Sequence, residues 1–414
     1  MKLLHKIRKA IREGGLSLFW LRARWKVKSI VAGESIRSHF SHSLDRGYPT
    51  EEIRIDEFTP TREDIYITER IMAALRRALA DDPRRNSTEI KDLWDIIQRD
   101  QFNDFFEAYR SGDTRRVAAY LCNMHRHSLG HGISDFSIEH YNAVSPKLRK
   151  QHTALIKDKM VSFGEAVGSV PYAEAGENGS LYVDPGALVQ SIERAVGIDI
   201  TPPNIDGGVV KIQMGKGHFS LRDIYSSYTA WRINQILHGK EGALCEIGAG
   251  LGKTALYAYR FGFVDYSIFD LPIANVAQAW YLIKSGIRVV LYGENKQPAG
   301  SVKILPYWAY VPDKKYVLTL NADSFPEISE DIVRRYLETI KRTTTDYFLS
   351  INQEQGAPYW QDRSKSHLIV PQLISSVGGF WRIYRFPFWL RRGYVEELYS
   401  IAHNKLEYSA DNPV

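Results

Sequence analysis

From residue 239 onward the chain alternates short apolar runs with helical stretches, and that alternation confines it to a small set of folds. The runs cover 243–247, 266–269, 289–292, 316–320 and 347–351, each bounded by turn residues. Four or five apolar residues between turns suit strands buried on both faces, as in a parallel sheet. Helical spacing lies between them near 254–262, 273–284 and 329–342, and two further runs, 380–384 and 394–399, suit an antiparallel edge. Residues 239–414 therefore read as a doubly wound, Rossmann-like α/β domain.

Upstream the pattern changes twice. Residues 49–163 are expected to form a mostly helical domain. One helix is expected over 65–79, with its start at Thr61-Arg62-Glu63-Asp64, and others are expected after Ser87-Thr88, through 105–109, through 117–122 and from Pro146 to about 163. Residues 164–238 are dense in Gly and Pro, with loop signals at 176–180 and 202–208. They are expected to form a loop-rich connector that shapes an acceptor site.

The 414 residues carry a formal charge of +6, and its placement matters more than its size. Residues 1–30 hold nine bases and one acid, so totals of 54 and 48 leave 45 bases against 47 acids elsewhere. A near-neutral body argues against nucleic acid as partner. The arm, residues 1–48, sets Leu3, Leu4, Ile7 and Ile11 against Lys2, Lys6, Lys9 and Arg12, then adds Trp20 and Trp25. Residues 1–30 can thus lie on an anionic membrane surface or dock on protein. No apolar run approaches the ~20 residues that span a bilayer, and the two cysteines cannot build a disulfide framework. A cytoplasmic location, peripheral at the inner face of the membrane if the arm binds lipid, is the expectation.

The chemistry is concentrated after the first run, in Glu246-Ile247-Gly248-Ala249-Gly250-Leu251-Gly252-Lys253-Thr254. A phosphate-binding loop ending in Gly-Lys-Thr needs a glycine where Ile247 stands. A nicotinamide fingerprint needs its third glycine where Lys253 stands. What remains is E-x-G-x-G-x-G with Asp270 twenty residues beyond Gly250, at the end of the next run. Glycines let the backbone turn tightly and approach a ligand, and a carboxylate on the adjacent strand can accept ribose hydroxyls.

At these residues the sequence resembles the class I S-adenosylmethionine (SAM)-dependent methyltransferases. The resemblance implies SAM as cofactor, with Gly248, Gly250 and Gly252 bordering its methionine part and Glu246 orienting the loop. It places Asp270, with Leu271, at the ribose, Gly293 and Glu294 near the adenine, and Asn321 and Ala322 on the sulfonium side. Phe269-Asp270-Leu271-Pro272, Asn321-Ala322-Asp323-Ser324-Phe325-Pro326-Glu327 and Tyr120-Leu121-Cys122-Asn123 also resemble sugar O-methyltransferases of polysaccharide and natural-product pathways. That likeness implies a sugar or glycan acceptor.

A sugar hydroxyl is a weak nucleophile and needs a general base. Asp323, Glu327, Glu354 and His367 follow the fourth and fifth runs and are the catalytic candidates, with Asp323 and His367 placed ahead. Glu327 can equally serve a helix start, Asp323 a turn, and His367 a surface loop. His125, His127, His131 and His140 are dense, but i, i+2 neighbours on a helix do not share a face, so no metal site is expected. Tyr172, Tyr182, Phe219, Tyr225 and Tyr228 could stack on a sugar or fill the core, and His218 and Arg222 could meet either ligand. The competing functions are a small-molecule O-methyltransferase of secondary metabolism and a non-catalytic scaffold of the same fold.

Overall fold

The structure is a computed structural model. It describes residues 51–401, apart from 88, 90, 91, 131–136, 172–183, 206, 297 and 360–363. The basic arm, Tyr172, Tyr182 and His131 lie outside the described residues.

The helical region opens with strand β1 (Glu51–Ile55), followed by α1 (Arg62–Asp81), α2 (Leu93–Gln101), α3 (Asn103–Arg110), α4 (Thr114–Cys122), α5 (Ile138–Ala143) and α6 (Pro146–Ala166). Local chemistry sets the starts. Thr61 and Asp64 exchange side-chain and backbone hydrogen bonds in a capping box on α1, and Asp92 with Asp95 does the same on α2. Ser145 caps α6, with Pro146 in its first turn. Asn123, after α4, bonds the backbone of Phe58 in both directions and so ties the chain beyond β1 to this region.

Residues 164–238 are more regular than their Gly and Pro content implies. They contain α7 (Pro185–Val196), β2 (Val209–Met214), β3 (Gly217–Phe219) and the long α8 (Leu221–Leu237). Regular elements thus occupy 185–196, 209–214, 217–219 and 221–237, where loops were expected. The sequence of α8 mixes Tyr, Ser, Thr and Trp round its circumference and shows no clean polar stripe, because packing surrounds most of it. β1, β2 and β3 pair antiparallel in a small sheet of their own.

The rest comprises β4 (Leu244–Ile247), α9 (Lys253–Arg260), β5 (Tyr266–Asp270), α10 (Pro272–Lys284), β6 (Val289–Leu291), β7 (Val302–Pro306), β8 (Tyr316–Ala322), α11 (Glu330–Thr343), β9 (Thr344–Gln353), α12 (Val370–Val377), β10 (Phe380–Pro387) and β11 (Tyr394–Ile401). These strands form an eight-stranded sheet in the order β6-β7-β5-β4-β8-β9-β11-β10. All neighbours are parallel except β11, which runs antiparallel to both β9 and β10. This is a doubly wound Rossmann-like α/β sheet preceded by a mostly helical region. The third run, at 289–292, is the outer edge strand β6, and β7 takes the place beside β5.

Both faces of the sheet are covered. One hydrophobic core joins α1, α8, α9 and α10 to the sheet, and a second packs α11 and α12 on the opposite face through Val333, Leu337, Ile340 and Val370. Register aligns the carboxyl ends: Ile247 stands opposite Phe269 and Asn321, Asp270 opposite Pro306, and Ala322 opposite Ile351. The chain leaves β4 toward β5 on one side and returns to β8 on the other. Ligands of open α/β sheets bind in the crevice at such a switch point. Among the described residues no helix is long and apolar enough to cross a membrane.

Candidate active site

A cleft of about 330 Å³ opens over these aligned strand ends, within the range of small-molecule sites. Its floor is the turn after β4. Gly248, Gly250 and Gly252 all have left-handed backbones, with φ of 73°, 57° and 79°, a region costly for residues bearing a Cβ. Gly248 has a second reason to be glycine: a Cβ there would lie 2.2 Å from the Ser324 hydroxyl. Gly248 and Gly250 line the cleft, whereas Gly252 sits behind it as the N-cap of α9.

Lys253, of the tempting Gly-Lys-Thr, is buried beneath this turn. Its ammonium lies 2.7 Å from the Asp223 carboxylate and 3.4 Å from the Ser220 hydroxyl, the pair that caps α8. The lysine ties α9 to the capping pair of α8 and also lines the cleft.

Asp270 ends β5 at the cleft. Its carboxylate accepts hydrogen bonds from the backbone N–H groups of Ala249 and Leu271 and from the Gln278 amide. These bonds fix the acid against the glycine turn, while burial pushes its pKa up to about 6. Glu246, on β4, accepts from the Tyr266 hydroxyl at 2.7 Å and is pushed up to about 7, again by burial. Leu271 and Ala322 line the cleft beside them. Asn321 stands one step back: it is fully buried, donates to the Ile247 carbonyl at 3.0 Å and accepts from the Asn352 amide. It locks β8 to the glycine turn and does not face the cleft.

Gly293 is a correction. It lies outside the cleft with φ of 85°, beside the Arg77 side chain of α1. Glu294 is held by Arg70 and the backbone N–H of Leu291. Because β7 displaces β6 from the position next to β5, the residue at that strand end is Tyr307, which does line the cleft. Its hydroxyl accepts from Arg84 at 2.8 Å and donates to Asp82.

The four catalytic candidates separate. Asp323 and Glu327 both line the cleft. Asp323 has a left-handed backbone with φ of 60°, and its carboxylate is bonded by Arg391 at 2.6 Å and by the Tyr394 hydroxyl. Glu327 accepts from the Trp94 indole N–H at 3.1 Å. Burial, then the nearby charge of Asp323, pushes its pKa up to about 7. Glu354 is drawn away into an ion pair with Arg385, which lowers its pKa. His367 packs edge-on to Tyr359 at 4.8 Å outside the cleft lining, and burial lowers its pKa. Of the two candidates placed ahead, Asp323 lines the cleft and His367 does not, while Glu327 lines it beside Asp323.

Arg222 and Tyr225 of α8 face the cleft, while Phe219 and Tyr228 are core and His218 is on β3, away from it. His125 is buried and His127 stacks on Tyr120 with ring centroids 4.1 Å apart. Among the described residues no three His, Cys, Asp or Glu converge on a metal position. Sequence reading missed Arg84, Asp92 and Trp94 from the helical region, Tyr336 from α11, Phe388 and Arg391 from the β10–β11 turn, and Tyr394 at the start of β11.

No family model matches this sequence, and no curated protein matches it. Solved structures similar to it include a glycopeptide N-methyltransferase complexed with S-adenosyl-L-homocysteine, 14% identical, TM-score 0.33, spanning 42% of this chain and 89% of that one. A protein of Pyrococcus horikoshii is 10% identical, TM-score 0.32, over 41% and 87%. A ribosomal protein methylase from Lactobacillus delbrueckii subsp. bulgaricus is 14% identical, TM-score 0.29, over 43% and 79%. At such scores the functional reading of this chain rests on the geometry of its own cleft.

Proposed function

We propose that this chain is a SAM-dependent methyltransferase whose acceptor is a hydroxyl oxygen of a sugar or glycan. The observation that supports it is the convergence of the glycine turn, Asp270 and Glu327 on one cleft at the switch point of the sheet.

The cleft fits the cofactor. Its walls carry Asp92, Glu246, Asp270, Asp323 and Glu327 against Arg84, Arg222, Lys253 and Arg391, one acid in excess. The backbone of Gly248 and Gly250 would hold the methionine part, and Asp270 with Leu271 the ribose. Bound there, SAM supplies an activated methyl group that leaves behind a neutral thioether. The protein's task is to align the acceptor and take its proton. Alignment of reacting groups lowers a barrier by up to ~7–11 kcal/mol. Trp94, Tyr225, Phe388 and Tyr394 bring aromatic surface to the cleft lining where a sugar would sit. The Glu327 carboxylate, with a pKa near the working pH, receives the hydroxyl proton. Asp323, already bonded to Arg391 and Tyr394, shapes the wall and keeps Glu327 basic.

Calorimetry with SAM tests the cofactor, and transfer of labelled methyl onto sugar-bearing cell extracts tests the acceptor. The expected result is SAM uptake that Asp270→Ala removes, with label in the glycan fraction. No uptake by the wild-type chain overturns the methyltransferase reading, and label confined to non-sugar metabolites overturns the acceptor.

A further inference from the structure

Trp94 is contributed by α2, outside the sheet domain, yet its indole N–H reaches the Glu327 carboxylate across 233 residues of sequence. Both side chains line the same cleft. The placement of Trp94 is well supported. Asp92 caps α2 with its side chain accepting from Asp95 N–H, and Arg84 pairs with Asp95 at 3.5 Å while also bonding Tyr307 at the end of β7. The helix that carries the indole is thereby fastened to the sheet at a second point.

We propose that Trp94 is a positioning residue: its indole N–H aims one oxygen of Glu327 and favours the ionised carboxylate, so that the helical region completes the base of the reaction. This rests on the methyltransferase reading for its purpose, but not for its test. A hydrogen bond to a carboxylate stabilises the charged form. Without it, Glu327 would face burial and the Asp323 charge with less opposition. The groups around Glu327 are Asp323 from the end of β8, Arg222 from α8, Arg391 from the β10–β11 turn, and Tyr394 from β11. Tyr359, from the loop after β9, and Asp92, at the start of α2, lie nearby. Of these, the two arginines also favour ionisation, so the indole contribution must be measured in their presence.

The experiment uses the full chain with its glutamates labelled by 13C at the carboxyl carbon. The Glu327 signal is assigned by its loss in Glu327→Gln and followed between pH 5 and 9. The wild-type midpoint should fall near 7, and Trp94→Phe, which keeps an aromatic ring but no donor, should raise it by about half a pH unit or more. Calorimetry with SAM should give the same affinity for both chains. An unmoved midpoint overturns the proposal, and so does a SAM affinity that falls in Trp94→Phe, since the indole would then serve the cleft as a whole. A wild-type chain that takes up no SAM refutes the enzyme reading, whereas the midpoint comparison still decides the Trp94–Glu327 coupling.

Discussion

Two carboxylates four positions apart after β8, Asp323 and Glu327, differ because their neighbours differ. Asp323 is paired with Arg391 and bonded by Tyr394, while Glu327 accepts from the Trp94 indole and feels the charge of Asp323 against those of Arg222 and Arg391. Glu327→Gln should therefore cut turnover by about 100-fold or more while SAM affinity stays within twofold, measured by label transfer and calorimetry. The base works ionised, so the wild-type rate should rise with pH through about 7 and level off above it. SAM uptake carries its own pH signature. Asp270, Glu246 and Asp92, pushed up to about 6, 7 and 6, are partly protonated at pH 6. A cation in their midst favours the ionised forms, so binding should release protons and tighten between pH 6 and 7. Calorimetry in buffers of different ionisation enthalpy reads that release, and affinity that weakens over this range contradicts it. Legibility at this scale followed sequence distance. Gly248, Gly250 and Asp270 sit in one βα unit and could be read together. Trp94 and Tyr394 reach the cleft through tertiary folding and left no local mark.

Elements were legible where their periodicity matched their burial. β4, β5, β8 and β9 announce themselves as apolar runs because helices cover both their faces. β7 did not, since its residues alternate between buried and partly exposed and Lys303 interrupts them. That single omission put the expected strand end beside β5 at Gly293, whereas the strand beside β5 is β7 and leads into Tyr307. α8 was hidden for the opposite reason, being enclosed on too many sides to keep a polar stripe. α9 is tied to α8 by the buried pair of Lys253 and Asp223, whose side chains are 4% and 0% exposed. Removing one partner of a buried pair typically costs about 3–5 kcal/mol, whereas an apolar replacement of both can be nearly neutral. Lys253→Met should lower stability by that order in urea unfolding, and the added change Asp223→Leu should recover much of it. A single variant as stable as wild type would show that the pair does not hold the helices.

At the scale of the molecule, the cleft draws on the helical region, on α8 and on the sheet, with its lining running from Arg84 to Tyr394. The charge is partitioned differently: nine of the 54 bases lie in residues 1–30, with one acid, while the remainder of the chain carries two more acids than bases. A body of near-zero charge gains little from an anionic surface, so attraction to one must come from the arm. Each basic residue close to such a surface contributes about 1 kcal/mol, and the leucines, isoleucines and tryptophans between them add apolar insertion. Deleting residues 1–30 should abolish co-sedimentation with vesicles containing phosphatidylserine. The intact chain should pellet less as salt rises, because screening shortens the field to ~8 Å at 0.15 M and ~3 Å at 1 M. SAM affinity should be the same with and without the arm. Pelleting that survives the deletion would place the lipid contact on the body, and pelleting indifferent to lipid charge would remove electrostatics as its cause.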